Sequence, residues 1–167
     1  RAAVDAQIGI MFPMVTDLED NKKAKEHMLA AKEELRREKK PFAEHVRIGA
    51  MIEVPSAAIL TAEILELLDF ISIGTNDLLQ YFTGADRDNP EVLSYQDPCD
   101  QAFGWLLRHI IAKAQEIGRE TDVNICGEIA ANIDIVPMLL KMGFRSLSVS
   151  PVHTEEIRTC ISKTLVG

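Results

Sequence analysis

The stretch from Phe70 to Arg87, FISIGTNDLLQYFTGADR, changes character at one point, and that change limits what the chain can build. Phe70 to Ile73 is a short apolar run rich in β-branched residues, as in a strand of a covered parallel sheet, and it stops at Gly74. Thr75, Asn76, Asp77 and Gln80 follow within a turn. Side chains able to bind something therefore gather at the strand's carboxyl end, where α/β folds keep their ligands.

The same alternation recurs along the chain. Gln7 to Phe12, Arg47 to Ile52, Val123 to Cys126 and Leu147 to Val149 read as further strands. Helices are predicted from Asp17 to about Lys40, from Ser56 to Leu68, from Asp100 to about Glu120, from Ile133 to Met142 and from Thr154 to about Leu165. Thr16 with Glu19 forms a capping box before the first helix, Pro41 ends it, and its KKAK and EELRREKK charges form a solvated face. Asp100 caps the helix that carries Phe103, Trp105, Leu106, Leu107, Ile110 and Ile111, residues of a core or an interface. About five βα units running one way give an α/β fold with a parallel sheet and helices outside. Asp88 to Pro98 is the longest irregular connection and a candidate lid or partner surface.

Composition narrows the function. The chain has 167 residues, 47% of them apolar, which suits one core in one domain. Lys and Arg number 18 against 26 Asp and Glu, a net charge of -8, so nucleic acid is not an expected partner. No apolar run approaches the roughly 18 residues of a membrane span, and the chain reads as cytoplasmic. Three cysteines without a repeating spacing argue against a disulfide framework and against zinc; Cys99 and Cys160 are assigned to packing. The chain opens on Arg1 rather than Met, which suggests a shortened or processed chain.

Glu53 ends the apolar strand Met51-Ile52-Glu53, where a carboxylate is costly without a cation, and Asp77 occupies the same level one strand later. Two carboxylates on adjacent strand ends suit an octahedral magnesium ion that keeps its waters; equally, they suit pairing with arginine. Asn76 can orient an anionic oxygen or cap the following turn. Arg87, beyond Gly84, can fold back to hold a phosphate or make a surface salt bridge with Asp86 or Asp88. Cys126 ends the fourth strand, before Gly127 and Glu128.

Ser72 to Tyr81, SIGTNDLLQY, with Asp86 and Arg87 behind it, resembles the second signature of the phosphoenolpyruvate-utilising enzymes. Ile8 to Val15 (IGIMFPMV), Gly49 to Ala57 (GAMIEVPSA) and Asn124 to Ala130 (NICGEIA) agree in order and spacing, and within the group the wording is most similar to enzyme I of the bacterial sugar phosphotransferase system. The resemblance implies the C-terminal part of a (β/α)₈ TIM barrel over residues 1–167, with the earlier barrel strands and the phosphohistidine domain lying outside it. It implies Glu53 and Asp77 as magnesium ligands, Asn76, Asp77 and Arg87 as contacts of phosphoenolpyruvate (PEP), and Cys126 as the acid that protonates the enolate to pyruvate. It further implies a homodimer, a histidine-containing phosphocarrier protein as partner of the parent enzyme, and no turnover by the 167-residue chain alone. None of His27, His45, His109 and His153 stands in the family's Thr-Ser-His motif, so the phosphoryl acceptor is expected elsewhere. Gly127-Glu128-Ile129-Ala130-Ala131-Asn132 departs from the usual Gly-Glu-Met-Ala-Gly-Asp, which leaves open a sugar-system enzyme I or its nitrogen-linked paralogue. Two rivals stand beside this reading: a magnesium-dependent carbon-carbon lyase of the pyruvate-binding barrels, which would not require Cys126, and a non-catalytic dimerisation module.

Overall fold

A computed structural model describes residues 1–164. Four parallel strands, β1 (Gly9–Phe12), β2 (Arg47–Ile52), β3 (Phe70–Gly74) and β4 (Val123–Cys126), lie side by side in chain order. Helices return the chain from each strand to the next, as parallel neighbours require. They are α1 (Leu18–Arg37), the pair α2 (Pro55–Ile59) and α3 (Thr61–Leu67), α4 (Thr75–Thr83) and α5 (Gln101–Glu116), with α6 (Val136–Met142) and α7 (Thr154–Lys163) after β4. Among the described residues, no helix is long and apolar enough to cross a membrane.

Strand alternation sorts the side chains onto two faces. Ala50, Ile52, Ile71, Ile73, Val123 and Ile125 point one way and are buried against the helices. Phe103, Leu107, Ile110 and Ile111 of α5, with Ile64 and Leu65 of α3, close this side. The opposite face carries Gly9, Met11, Gly49, Met51, Phe70, Ser72, Asn124 and Cys126, in register across the strands. Phe70 lies across two glycines there. A Cβ on Gly49 would stand 2.5 Å from its ring, and one on Gly9 3.0 Å. The Arg47 guanidinium covers the same ring at 5.2 Å.

Several expected boundaries move for local reasons. The first strand begins at Gly9 rather than Gln7. Asp17, not Thr16, caps α1, accepting from Asp20 N at 2.9 Å, while Asp20 Oδ2 accepts from the Thr16 backbone and hydroxyl. Half of a capping box thus forms one residue later than expected, and the return bond from Asp20 goes to Thr16, the residue before the cap, rather than to Asp17. The helix expected from Ser56 to Leu68 breaks at Leu60, where the buried Thr61 hydroxyl donates to Ala58 O at 2.7 Å. Asp100 caps α5 as expected, accepting from Ala102 N and Phe103 N. That helix stops at Glu116, because Gly118 turns left-handed (φ +68) and Arg119 N donates back to Ala114 O.

Beyond β4 the corrections are larger. A 3₁₀ turn at Glu128–Ala131 precedes α6, which starts only at Val136 with Pro137 in its first turn. The expected fifth strand, Leu147 to Val149, is absent as a strand: one parallel bridge joins Leu147 to Ile125, held by Ile125 N to Ser146 O and Ser148 N to Ile125 O. β4 has only four residues, and the 3₁₀ turn at Pro151–His153 follows shortly, so the ladder has room for one rung. Cys99 is exposed on the long connection rather than packed, and Cys160 is half-buried on α7. Trp105 is 59% exposed and stacks on His109, unlike its buried neighbours on α5. The end of the last helix at Leu165 lies outside the described residues.

Candidate active site at the strand ends

Parallel pairing carries one consequence for chemistry: every strand ends on the same side. Glu53 follows β2, Gly74 ends β3 and pairs with Cys126 at the end of β4. The Glu53 side chain crosses above Gly74. A Cβ there would come within 2.6 Å of Glu53 Cγ and 2.9 Å of Oε1, so the glycine makes room for the carboxylate. Glu53 Oε2 accepts from Met14 N at 3.0 Å, and Met14, with φ +54, presents that N–H from a left-handed backbone.

Asp77 sits in the first turn of α4, where the helix dipole favours a negative charge. Gly84 ends that helix left-handed (φ +68), and Gln80 Oε1 accepts from Arg87 N at 3.1 Å. The chain therefore doubles back, and Arg87 Nη1 reaches Asp77 Oδ1 at 3.2 Å. Arg87 meets neither Asp86 nor Asp88, the surface partners expected for it, and the contact with Asp77 is the arginine pairing that the strand-end carboxylates also allowed; Asp86 Oδ1 accepts from Asp88 N instead. Asn76 Oδ1 accepts from Glu128 N at 3.0 Å, tying α4 to the turn after β4.

Gly127 makes this junction possible. Its φ is +95, and a Cβ would lie 2.2 Å from Thr75 Oγ1 and 2.7 Å from Asn76 Oδ1. Thr75 Oγ1 in turn donates to Cys126 O at 2.6 Å. Burial pushes the Cys126 thiol above its ordinary value, the Ser72 hydrogen bond works against that rise, and the negative charges of Glu53 and Asp77 add to it. A thiol so placed stays protonated and suits proton donation rather than nucleophilic attack.

The structure thus brings Glu53, Asn76, Asp77, Arg87 and Cys126 to one end of the sheet. Behind Asn76 and Arg87 opens a cleft of about 590 Å³, lined also by Thr75, Gln96, Glu128 and Asn132. Leu93 and Pro98, from the long connection after Arg87, form one wall of it. Met14, Ser72 and Asn124 are contributors that sequence reasoning passed over. Ser72 and Asn124 are the ones a reader could have caught, since polar residues interrupt otherwise apolar strands on the face shared with Cys126.

Two carboxylates do not by themselves enclose a cation, and no group of three His, Cys, Asp or Glu side chains gathers among the described residues. Magnesium, however, is ordinarily held by one or two carboxylates with waters and substrate oxygens completing the shell. Glu53 Oε1 and Asp77 Oδ2 accept no protein hydrogen bond among the described residues, so the donor chemistry fits such an ion.

The family model described as "PEP-utilising enzyme, PEP-binding domain" matches residues 1–166. The chain is 36% identical over 163 residues to the phosphoenolpyruvate-protein phosphotransferase of Geobacillus stearothermophilus, covering 98% of this chain and 28% of that protein. It is 38% identical over 150 residues to the protein of the same name from Bacillus sp. (strain S), covering 90% and 26%. To multiphosphoryl transfer protein 2 of Escherichia coli (strain K12) it is 36% identical over 150 residues, covering 90% and 18%. The chain therefore spans between 18% and 28% of the length of these relatives. A crystal structure of a citrate lyase from Burkholderia xenovorans LB400 superposes with a TM-score of 0.67 over 93% of this chain and 49% of that one, at 16% identity. At that identity the likeness bears on the fold alone.

Proposed function

This chain belongs to the PEP-utilising enzymes, as their PEP-binding domain, and from that premise we propose that it is the PEP-binding part of a phosphoenolpyruvate-protein phosphotransferase. The parent enzyme moves the phosphoryl group of PEP to one of its own histidines and then to a histidine-containing carrier protein, releasing pyruvate. The observation that carries this reading is the meeting of two carboxylates, an amide, a guanidinium and a half-buried thiol at one end of a parallel sheet.

Each residue has a part that its surroundings support. Glu53 and Asp77 would hold magnesium, which when bound supplies positive charge to the phosphate and carboxylate oxygens. Arg87 holds the phosphate through paired N–H groups and Asn76 orients it without adding charge. The phosphorus–oxygen bond to the enol breaks as the phosphoryl group leaves for a histidine outside this chain. Cys126 then delivers its proton to the methylene carbon of the enolate, which gives pyruvate.

Residues 1–167 form, in this reading, the C-terminal part of a (β/α)₈ barrel in a cytoplasmic homodimer. The face bearing Met11, Met51 and Asn124 is its interior, and the exposed Trp105 on α5 offers apolar surface to a second copy. Calorimetric titration of the parent protein with PEP and magnesium tests the site. Binding is expected, and Asp77→Ala should abolish it; a variant that binds as the wild type does would remove Asp77 from the site.

A further inference from the structure

A directed file of hydrogen bonds crosses the helix-free face of the sheet and ends on the Cys126 sulfur. Ser146 Oγ donates to Asn124 Oδ1 at 3.0 Å. Asn124 Nδ2 donates to Ser148 Oγ at 2.9 Å and to Ser72 Oγ at 2.8 Å. Ser72 Oγ donates to Cys126 Sγ at 3.5 Å, and the thiol in turn faces Ile73 O at 3.3 Å. The order follows from chemistry: an amide nitrogen has only hydrogens to give, so the Ser72 oxygen accepts and its own hydrogen is left for sulfur. Strand register aligns the file, with Ser72 opposite Asn124 and Gly74 opposite Cys126. Ser72 is 4% exposed, so bulk water does not take the hydroxyl's place.

We propose, resting on the reading of Cys126 as proton donor, that Ser72 is a positioning residue for that thiol. Held by Asn124, its hydroxyl fixes the sulfur and, by donating a hydrogen bond, stabilises the negative charge that stays on sulfur when the proton departs. In that step the S–H bond breaks, its electron pair stays on sulfur, and a C–H bond forms at the methylene carbon of the enolate. The Ser72 proton remains on oxygen throughout, and solvent water afterwards returns a proton to sulfur. The need is clear from the surroundings. A half-buried thiolate near the carboxylates of Glu53 and Asp77 is costly, and Ser72 is the one donor to it among the described residues.

Exchange of the pyruvate methyl hydrogens with deuterium oxide, in the presence of magnesium and the complete protein that the reading frame encodes, isolates this step. Cys126→Ala should abolish exchange; if it exchanges as fast as the wild type, the proton-donor reading fails and the inference with it. Given that loss, Ser72→Ala should slow exchange about ten- to hundredfold, the worth of a hydrogen bond to a charged group, with pyruvate affinity and the phosphorylation burst from PEP unchanged. Ser72→Thr, which restores the hydroxyl, should recover most of the rate. Wild-type exchange in Ser72→Ala, or a Ser72→Thr protein as slow as Ser72→Ala, overturns the proposal while leaving Cys126 as donor. If Ser72→Ala does not fold, Asn124→Ala keeps the hydroxyl but frees its orientation; slowed exchange supports the proposal and wild-type exchange overturns it.

Discussion

Gly127 concentrates the demands of the strand-end junction in one position. Its left-handed backbone and the 2.2 Å approach of Thr75 Oγ1 to a Cβ leave no side chain a place. Gly127→Ala should cost at least about 2 kcal/mol, from backbone strain and displacement of Thr75, read as a lowered urea midpoint; an unchanged midpoint would show that the loop yields freely. The thiol beside it makes a second prediction. Its raised proton affinity means that, as pH climbs through the ordinary thiol range near ~8.5, the unfolded chain loses this proton before the folded one does, so stability falls with rising pH there. Iodoacetamide should accordingly label the exposed Cys99 first and Cys126 only at higher pH; equal labelling rates at neutral pH would contradict it. Glu53 and Asp77 were legible as strand-end carboxylates because position alone marks them. The Met14 N–H on Glu53 was not, since 39 residues separate the partners and only the finished sheet joins them.

At the scale of elements, the order of strands and helices could be read from apolar periodicity, and the errors cluster where one hydrogen bond decides. Thr61 splits a helix, and Pro137 delays another. The missing fifth strand is a further case: Leu147 to Val149 spells a strand, yet Ser146 and Ser148 turn their hydroxyls to Asn124 and the ladder closes after one bridge. Arg119 holds the other end of the sheet together. Its guanidinium donates to Leu65 O, Leu68 O and Asp69 O and pairs with Asp122, so it caps α3 and anchors the start of β3. Replacing Arg119 by Met keeps the stem but strands those carbonyls. A loss of about 1–3 kcal/mol is expected, measured by chemical denaturation; a loss below the error of the method would mean that water serves them as well.

For the molecule as a whole, four strands with helices on one face leave the other face without a helical cover, and β1 pairs on one side only among the described residues. We expect the 167-residue chain, supplied with carrier protein, magnesium and PEP, to release no pyruvate; a lactate dehydrogenase-coupled assay that detects steady release would overturn the division of labour proposed above. The ring of Phe70 resting on Gly9 and Gly49 has a consequence for sequence drift. The three positions share one volume, so none can enlarge by itself. Among kindred chains, a bulkier residue at the counterpart of 49 should come with a smaller one at that of 70, and the pair should trade size in concert.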